Sequence, residues 1–244
     1  MGLPSTGQAV RIDSEHWRQT VIEGALALGL TVSIDQARTM GRHALELLQW
    51  NRITNLTAIT DPLEVALKHY VDALAAAPWI KEGALILDAG SGAGFPGIPL
   101  KILRPDLSVT LVDSVRKKVS FLKHAIRTLD LRDIDAVHGR LEDLGRSPIH
   151  YEKYDLAICR AFSSLENFVN LTLPFLSPGG SLLAMRGRET DPDQQVLSGP
   201  DADRLSLGGR CFTIQVHRYR LPYLDAQRSL VRLQRSEDYL TFLT

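Results

Sequence analysis

Between Leu85 and Gly97 the chain reads LILDAGSGAGFPG: an apolar run halts at Asp88, and Gly90, Gly92, Gly94 and Gly97 follow. Glycine removes Cβ, admits positive φ and lets a ligand approach the main chain closely. Two ligand chemistries compete for such a turn. Residues Gly92 to Gly97 satisfy G-x-G-x-x-G, the pattern with which dinucleotide-binding folds hold a pyrophosphate at a helix N-terminus. Asp88, however, would set a carboxylate beside the approaching phosphates, and Phe95-Pro96 opens the next helix with a residue that presents no N–H. The spacing Asp88-x-Gly90-x-Gly92-x-Gly94 suits a ligand whose nearest part is cationic. The ammonium and sulfonium of S-adenosylmethionine are such a part.

A second carboxylate, Asp113, ends the run SVTLVD 25 residues beyond Asp88. An acid at that place can accept hydrogen bonds from both ribose hydroxyls of a bound nucleoside. It can equally cap the helix that starts near Val115, a role Ser114 can share. In GRLEDL, Leu141 offers an apolar contact to an adenine face and Glu142 a polar group to its edge, though alone the segment reads as any surface loop. No Ser/His/Asp set and no carboxylate pair is evident, so no catalytic residue is named. Cys159 and Cys211 stand apart without CxxC spacing, which indicates reduced structural thiols, with no zinc site or disulfide framework.

The elements that must position these residues follow from periodicity. The first 80 residues carry helical signals. SEHWRQTVIEGALALGL opens with Ser14 as an N-cap candidate, and Ile34, Ala37, Ala44, Leu47 and Leu48 share a face of a second helix. NRITNLTAITDP reads as a polar loop, and a third helix is expected from about Pro62 to Ala76. From Ala84 the rhythm changes to short β-like runs: ALILDAG, SVTLVD, DIDAVHG, YDLAICRA and GSLLAMRG. Strands alternating with crossover helices imply an α/β fold with a mainly parallel sheet. In the helix after SVTLVD, Val115, Val119, Phe121, Leu122, Ala125, Ile126 and Leu129 should face inward. Residues 188–209 read as a polar connection with a helical turn. RCFTIQVHRYRLP and QRSLVRLQRS, joined by YLDA, should close the sheet as an antiparallel hairpin. The expected division is 1–80, an N-terminal helical segment, and 81–244, a Rossmann-like domain.

Lys and Arg number 28 and so do Asp and Glu, giving a net charge of +0. No whole-molecule field would draw in a nucleic acid, so such a partner needs a local basic patch. No run of about 18 apolar residues exists, and the opening MGLPSTGQAVRIDSEHW lacks the core of a signal peptide, so a cytoplasmic protein without membrane association is expected.

Taken together, WNRITNLTAI (Trp50–Ile59), KHYVDAL (Lys68–Leu74), LDAGSGAGFPGIPLKILRPD (Leu87–Asp106), LVDSVRKKVSFL (Leu111–Leu122), CRAF (Cys159–Phe162) and AMRGRE (Ala184–Glu189) resemble the glucose-inhibited division protein B family, also called ribosomal RNA small subunit methyltransferase G. The resemblance implies a class I S-adenosylmethionine-dependent methyltransferase that modifies N7 of one guanine in 16S ribosomal RNA, free or in the small subunit. Position by position it implies cofactor contacts at Gly90 and its glycine neighbours Gly92 and Gly94, at Phe95, Asp113, Ser114, Leu141, Glu142 and Arg160, to which the reading of the turn itself adds Asp88. Family members commonly carry Lys in place of Arg186 and Ser or Ala in place of Cys159. The first swap keeps the charge without the point-like ammonium geometry.

For RNA contact the candidates are Asn55, Thr57, Lys68, His69, Arg160, Arg186 and Arg188, with His69 open also to a satisfied structural role. Arg116, Lys117, Lys118, Lys123 and Arg127 make a basic helix face that reads first as solvated surface, and the hairpin is rich in arginine. A monomer without a metal is expected. The competing readings are a nicotinamide-dependent oxidoreductase resting on Gly92–Gly97, a non-catalytic RNA-binding protein, and a methyltransferase for another acceptor.

Overall fold

The computed structural model describes residues 10–160, 162, 164–187, 204–207, 210–224 and 226–235. Helix α1 (Glu15–Ala27) starts where Ser14 Oγ accepts the Trp17 N–H at 3.2 Å. Helix α2 (Ile34–Thr54) opens with a full capping box: Ser33 Oγ accepts from Gln36 N–H, and the Gln36 side chain accepts from Ser33 N–H. Its inward face is Ala37, Met40, His43, Ala44 and Leu47. Ile34, expected inside, is 45% exposed because it sits in the first turn, beyond the reach of the core.

The third helical stretch is continuous but not uniform. Pro62–Glu64 (α3) is capped by Asp61, Val65–Val71 is π-helical, and Asp72–Leu74 (α4) returns to α geometry. The wider turn shifts the rotation of every side chain beyond it, a departure often found near functional sites. Here it carries Lys68, His69 and Tyr70.

The strands are β1 (Leu85–Ala89), β2 (Ser108–Asp113), β3 (Ile134–His138), β4 (Tyr154–Arg160), β5 (Leu176–Gly187), β6 (Arg204–Leu207), β7 (Arg210–Arg220) and β8 (Gln227–Arg235). Their order is β3-β2-β1-β4-β5-β8-β7-β6. The first five run parallel, and β8 pairs antiparallel with both β5 and β7. Arg204–Leu207, assigned from sequence to a polar connection with a helical turn, forms instead a strand on β7. Arg188 and the remainder of that connection lie outside the described residues.

Helices α5 (Gly97–Leu103), α6 (Arg116–Thr128), α7 (Leu141–Leu144) and α8 (Leu165–Thr172) complete the fold. On α6, Val119, Phe121, Leu122, Ala125 and Leu129 are buried as expected, while Val115 precedes the helix and is 44% exposed. Two apolar layers sandwich the sheet. On one face Ile86, Leu111, Ile158, Leu183 and Leu230 share a core with Trp17, Leu47 and Tyr70 of the N-terminal helices and with Phe121 of α6. On the other, Leu87, Ala157, Cys159, Val231 and Leu233 pack with Phe168 and Val169 of α8. The N-terminal helices therefore share one hydrophobic interior with the sheet.

Trp17 ties that interior together: it is fully buried, donates its indole N–H to Pro62 O at 2.9 Å and meets the Tyr70 ring edge-on at 5.4 Å. Trp17→Ala is expected to cost about 3–5 kcal/mol of stability. Urea unfolding would show this, with Trp17→Phe falling between the two.

Candidate active site at the ends of β1 and β4

In the order β2-β1-β4-β5 the chain winds outward in opposite directions from β1 and β4, so a crevice opens beyond their carboxyl ends. The glycine turn leaves β1 there, Arg160 ends β4, and Phe162 follows it. Gly90, Gly92 and Gly94 all have positive φ, at 72°, 58° and 87°. Their surroundings separate their roles. A Cβ on Gly92 would meet nothing nearer than 3.9 Å, and one on Gly90 would meet only the Phe162 ring at 3.5 Å. At Gly94 it would lie 2.4 Å from Ile98 Cδ1, and at Gly97 2.4 Å from Leu111 Cδ2. The first two glycines leave room on the turn, whereas Gly94 makes space for Ile98 of α5 and Leu122 of α6, and Gly97 lets α5 pack onto the sheet.

Asp88 is fully buried, and its Oδ2 accepts the Gly97 N–H at 2.8 Å. The helix terminus that a pyrophosphate would need is thus already occupied by a carboxylate of the chain itself. This observation removes the physical basis of the dinucleotide reading. Oδ1 of the same group is buried without a partner. Burial pushes the Asp88 carboxyl up to about 7, against the Gly97 hydrogen bond and the nearby Arg160 charge, which favour ionisation.

Asp113 anchors the other side of the turn. Oδ2 accepts from Gly92 N–H at 3.0 Å and Oδ1 from Val115 N–H at 2.8 Å. It orients the glycine loop and the lead-in to α6 together, and each oxygen keeps a further lone pair. Ser114 beside it is exposed. Gly139 N–H donates to Asp113 O at 3.2 Å, which brings the start of α7 alongside, with Leu141 buried and Glu142 exposed.

Phe95 is 3% exposed and lies under a layered stack. The His69 ring is parallel to it at 4.6 Å, the Arg160 guanidinium sits 5.0 Å from its centroid, and Tyr70 and His43 flank it. Arg160 donates to Lys68 O at 3.0 Å and to His69 Nδ1 at 3.1 Å. Accepting there places the His69 proton on Nε2, which donates to Thr57 Oγ1 at 2.8 Å. Burial and the adjacent Arg160 charge push His69 down to about 3, consistent with a neutral ring. Asn51 holds the same polar loop, accepting from Leu56 and Thr57 N–H and donating to Thr57 O.

Of the residues proposed to meet RNA, Asn55 is exposed in a left-handed conformation at the end of α2, and Lys68 is partly exposed in an ion pair with Glu64. His69 and Arg186 are instead buried, at 4% and 6% exposure. Arg186 donates to Phe162 O at 3.1 Å, so it supports the residue that faces Gly90. Phe162, Asn51 and Tyr70 were not singled out from sequence. They lay in view, within CRAF, WNRITNLTAI and KHYVDAL. Cys159 is 1% exposed, and burial pushes its thiol up, leaving it no nucleophile. Among the described residues no three His, Cys, Asp or Glu side chains are grouped to hold a metal ion.

Known proteins decide what this geometry belongs to. The family model described as rRNA small subunit methyltransferase G matches residues 36–199. The chain belongs to this family. A ribosomal RNA small subunit methyltransferase G from Geotalea uraniireducens is 40% identical over 225 residues, 92% of this chain and 100% of the relative. One of the same name from Acetivibrio thermocellus is 39% identical over 219 residues, 89% and 88% of the two chains. Among solved structures, a SAM dependent methyltransferase from Aquifex aeolicus superposes with a TM-score of 0.53 at 17% identity, covering 75% of this chain and 98% of its own. The [4+2]-cyclase SpnF superposes at 0.54 with 14% identity, covering 82% and 95%. These two likenesses establish the class I methyltransferase fold alone, and the cyclase shows that the fold by itself does not set the chemistry.

For a methyltransferase G the residues present fit S-adenosylmethionine. The turn is open at Gly90 and Gly92, Asp88 Oδ1 lacks a partner and Asp113 retains acceptor capacity. Gly94→Ala is expected to lower stability by about 2–5 kcal/mol, combining left-handed strain with overpacking. Gly92→Ala should cost only about 1–2 kcal/mol while weakening S-adenosylhomocysteine binding. Thermal melts and calorimetric titration separate the two. For Asp88 the native carboxyl ionises near 7 and the unfolded one near 3.8, so the native state holds the extra proton between them. Its contribution to the free protein's stability therefore falls as pH rises from about 4 to 7 and is level above. Asp88→Asn should remove that component of the slope in unfolding curves measured across this range.

Proposed function

We propose that this protein transfers a methyl group from S-adenosylmethionine to N7 of a specific guanine in 16S ribosomal RNA. The observation that carries the cofactor assignment is the Asp88–Gly97 hydrogen bond, which occupies the helix terminus that a pyrophosphate would need and leaves an open glycine turn beside an unpaired carboxylate oxygen. Membership of the methyltransferase G family supports the ribosomal acceptor.

When bound, S-adenosylmethionine supplies a methyl group on a sulfonium whose sulfur departs as a neutral thioether. N7 of guanine bears an in-plane lone pair and no proton at neutral pH, so the chain need not provide a base. That agrees with a crevice in which His69 is neutral and fully hydrogen-bonded and Cys159 is a buried thiol. The work of the protein is alignment, which can supply on the order of 7–11 kcal/mol of a barrier. Asp113 would take the ribose hydroxyls through its remaining lone pairs, and Gly90 and Gly92 would leave room for the amino-acid end beside the main chain. Leu141 and Glu142 would hold the adenine. Phe95 and Arg160 support the turn from beneath, and Phe162, held by Arg186, closes over Gly90.

On the RNA side we assign direct contact to Asn55 and Lys68 and a supporting role to His69 and Arg186, whose side chains lie inside. Acting in the cytoplasm as a monomer completes this reading; no helix among the described residues is long and apolar enough to cross a membrane.

Titration with S-adenosylhomocysteine and with NAD tests the cofactor assignment: only the first should bind, and Asp113→Ala should weaken it roughly tenfold or more, the scale of losing one or two hydrogen bonds to a charged group. Unchanged affinity in Asp113→Ala rejects the ribose role. Incubation with methyl-labelled S-adenosylmethionine and either small subunits or free 16S RNA, followed by nucleoside mass spectrometry, should give 7-methylguanosine at one site. Label at another atom or in no RNA rejects the acceptor.

A further inference from the structure

The C-terminal hairpin makes a partly buried polar contact that the reaction above does not use. Tyr219 of β7 donates its O–H to Asp72 Oδ1 at 2.7 Å. Arg228, its partner across the strands, brings Nε to 3.6 Å of the same oxygen. Asp72 opens α4, is 5% exposed, and follows the π-helical segment that contains Lys68 and His69. Those two residues hold Arg160 through the Lys68 carbonyl and His69 Nδ1, and Arg160 lies over Phe95 at the glycine turn. Burial works against the Arg160 charge, the nearby Asp72 and Asp88 favour it, and Arg228 opposes it.

The four groups thus form an alternating arrangement, Arg228, Asp72, Arg160 and Asp88, that runs from the hairpin to the first carboxylate of the cofactor turn. A carboxylate removed from water is costly unless it is hydrogen-bonded and paired. The Tyr219 phenol makes the short contact to the Asp72 side chain, and the arginine stands farther off.

We propose that Tyr219, with Asp72 and Arg228, is a positioning residue of the cofactor site: the hairpin latches the π-helical segment so that Arg160 is held over Phe95. The proposal rests on the reading of the glycine turn as the S-adenosylmethionine site. It gives part of the arginine-rich hairpin an inward function, since Arg228 serves here as counter-charge to Asp72.

The test is S-adenosylhomocysteine affinity by calorimetry in the full chain at 20 °C, beside melting temperatures, for Tyr219→Phe, Asp72→Asn, their combination and Val216→Ala. Val216 sits on the opposite face of β7, packed with the second core, and serves as a control for hairpin stability. Tyr219→Phe should weaken binding roughly three- to tenfold, the scale of one lost hydrogen bond. The double variant should bind no more weakly than Asp72→Asn alone, and Val216→Ala should lower the melting temperature with affinity unchanged. Equal affinity in Tyr219→Phe and the unchanged protein, or an equal loss in Val216→Ala, overturns the latch. If the unchanged protein does not bind S-adenosylhomocysteine, the functional reading falls and the latch with it.

Discussion

The hydrogen bond from Gly97 N–H to the buried Asp88 carboxylate is the constraint on which the site is built. It joins the last part of β1 to the first residue of α5, and the glycine turn is the chain between those two fixed points. Both ends being held, the loop must double back within a few residues, and positive φ at Gly90, Gly92 and Gly94 is the backbone consequence. Val112 O accepts from both Gly90 and Ser91 N–H, and Asp113 accepts from Gly92 N–H, so the end of β2 fixes the turn from the side. The turn is held by the chain's own hydrogen bonds, which reduces the ordering that binding would otherwise require.

Beneath the turn, charge and aromatic surface are combined in one layer. The Phe95 ring stacks on His69 and meets the Arg160 guanidinium, and each imidazole nitrogen of His69 is satisfied, one by Arg160 and the other by Thr57. Through Thr57 and Asn51 the polar loop after α2 is bound into the same layer. The N-terminal helices, the glycine turn and β4 therefore meet at a single imidazole, and a displacement of any of them is felt by the others.

Much of this arrangement could be read from residues alone. The parallel strands announced themselves as apolar runs, and the Ser14 cap and closing hairpin followed from local chemistry. Failures occurred where long-range pairing decides. Arg204–Leu207 has a weak strand signature and is extended because β7 offers it an edge. The π-helical turn leaves no compositional trace, since one added residue per turn changes rotation and not residue type. For His69, open in the sequence to either role, and for Arg186, sequence reports that a side chain is polar but not whether a carbonyl or hydroxyl waits for it inside. At Arg186 that partner is Phe162 O, supplied by a different strand's loop. The glycines divided in the same way: only the neighbours Ile98 and Leu111 reveal that Gly94 and Gly97 serve packing.

The position of β8 bears on how the chain is made. It is synthesised after β7 yet lies between β5 and β7, bonded to both. Until the ribosome has passed residue 235, β5 presents an unpaired edge that includes Leu182, Leu183, Ala184 and Met185, all buried in the finished protein. Such an edge is a template for pairing with another chain. The nascent protein thus carries an adhesive seam along its sheet from the completion of β5 until β8 has been made.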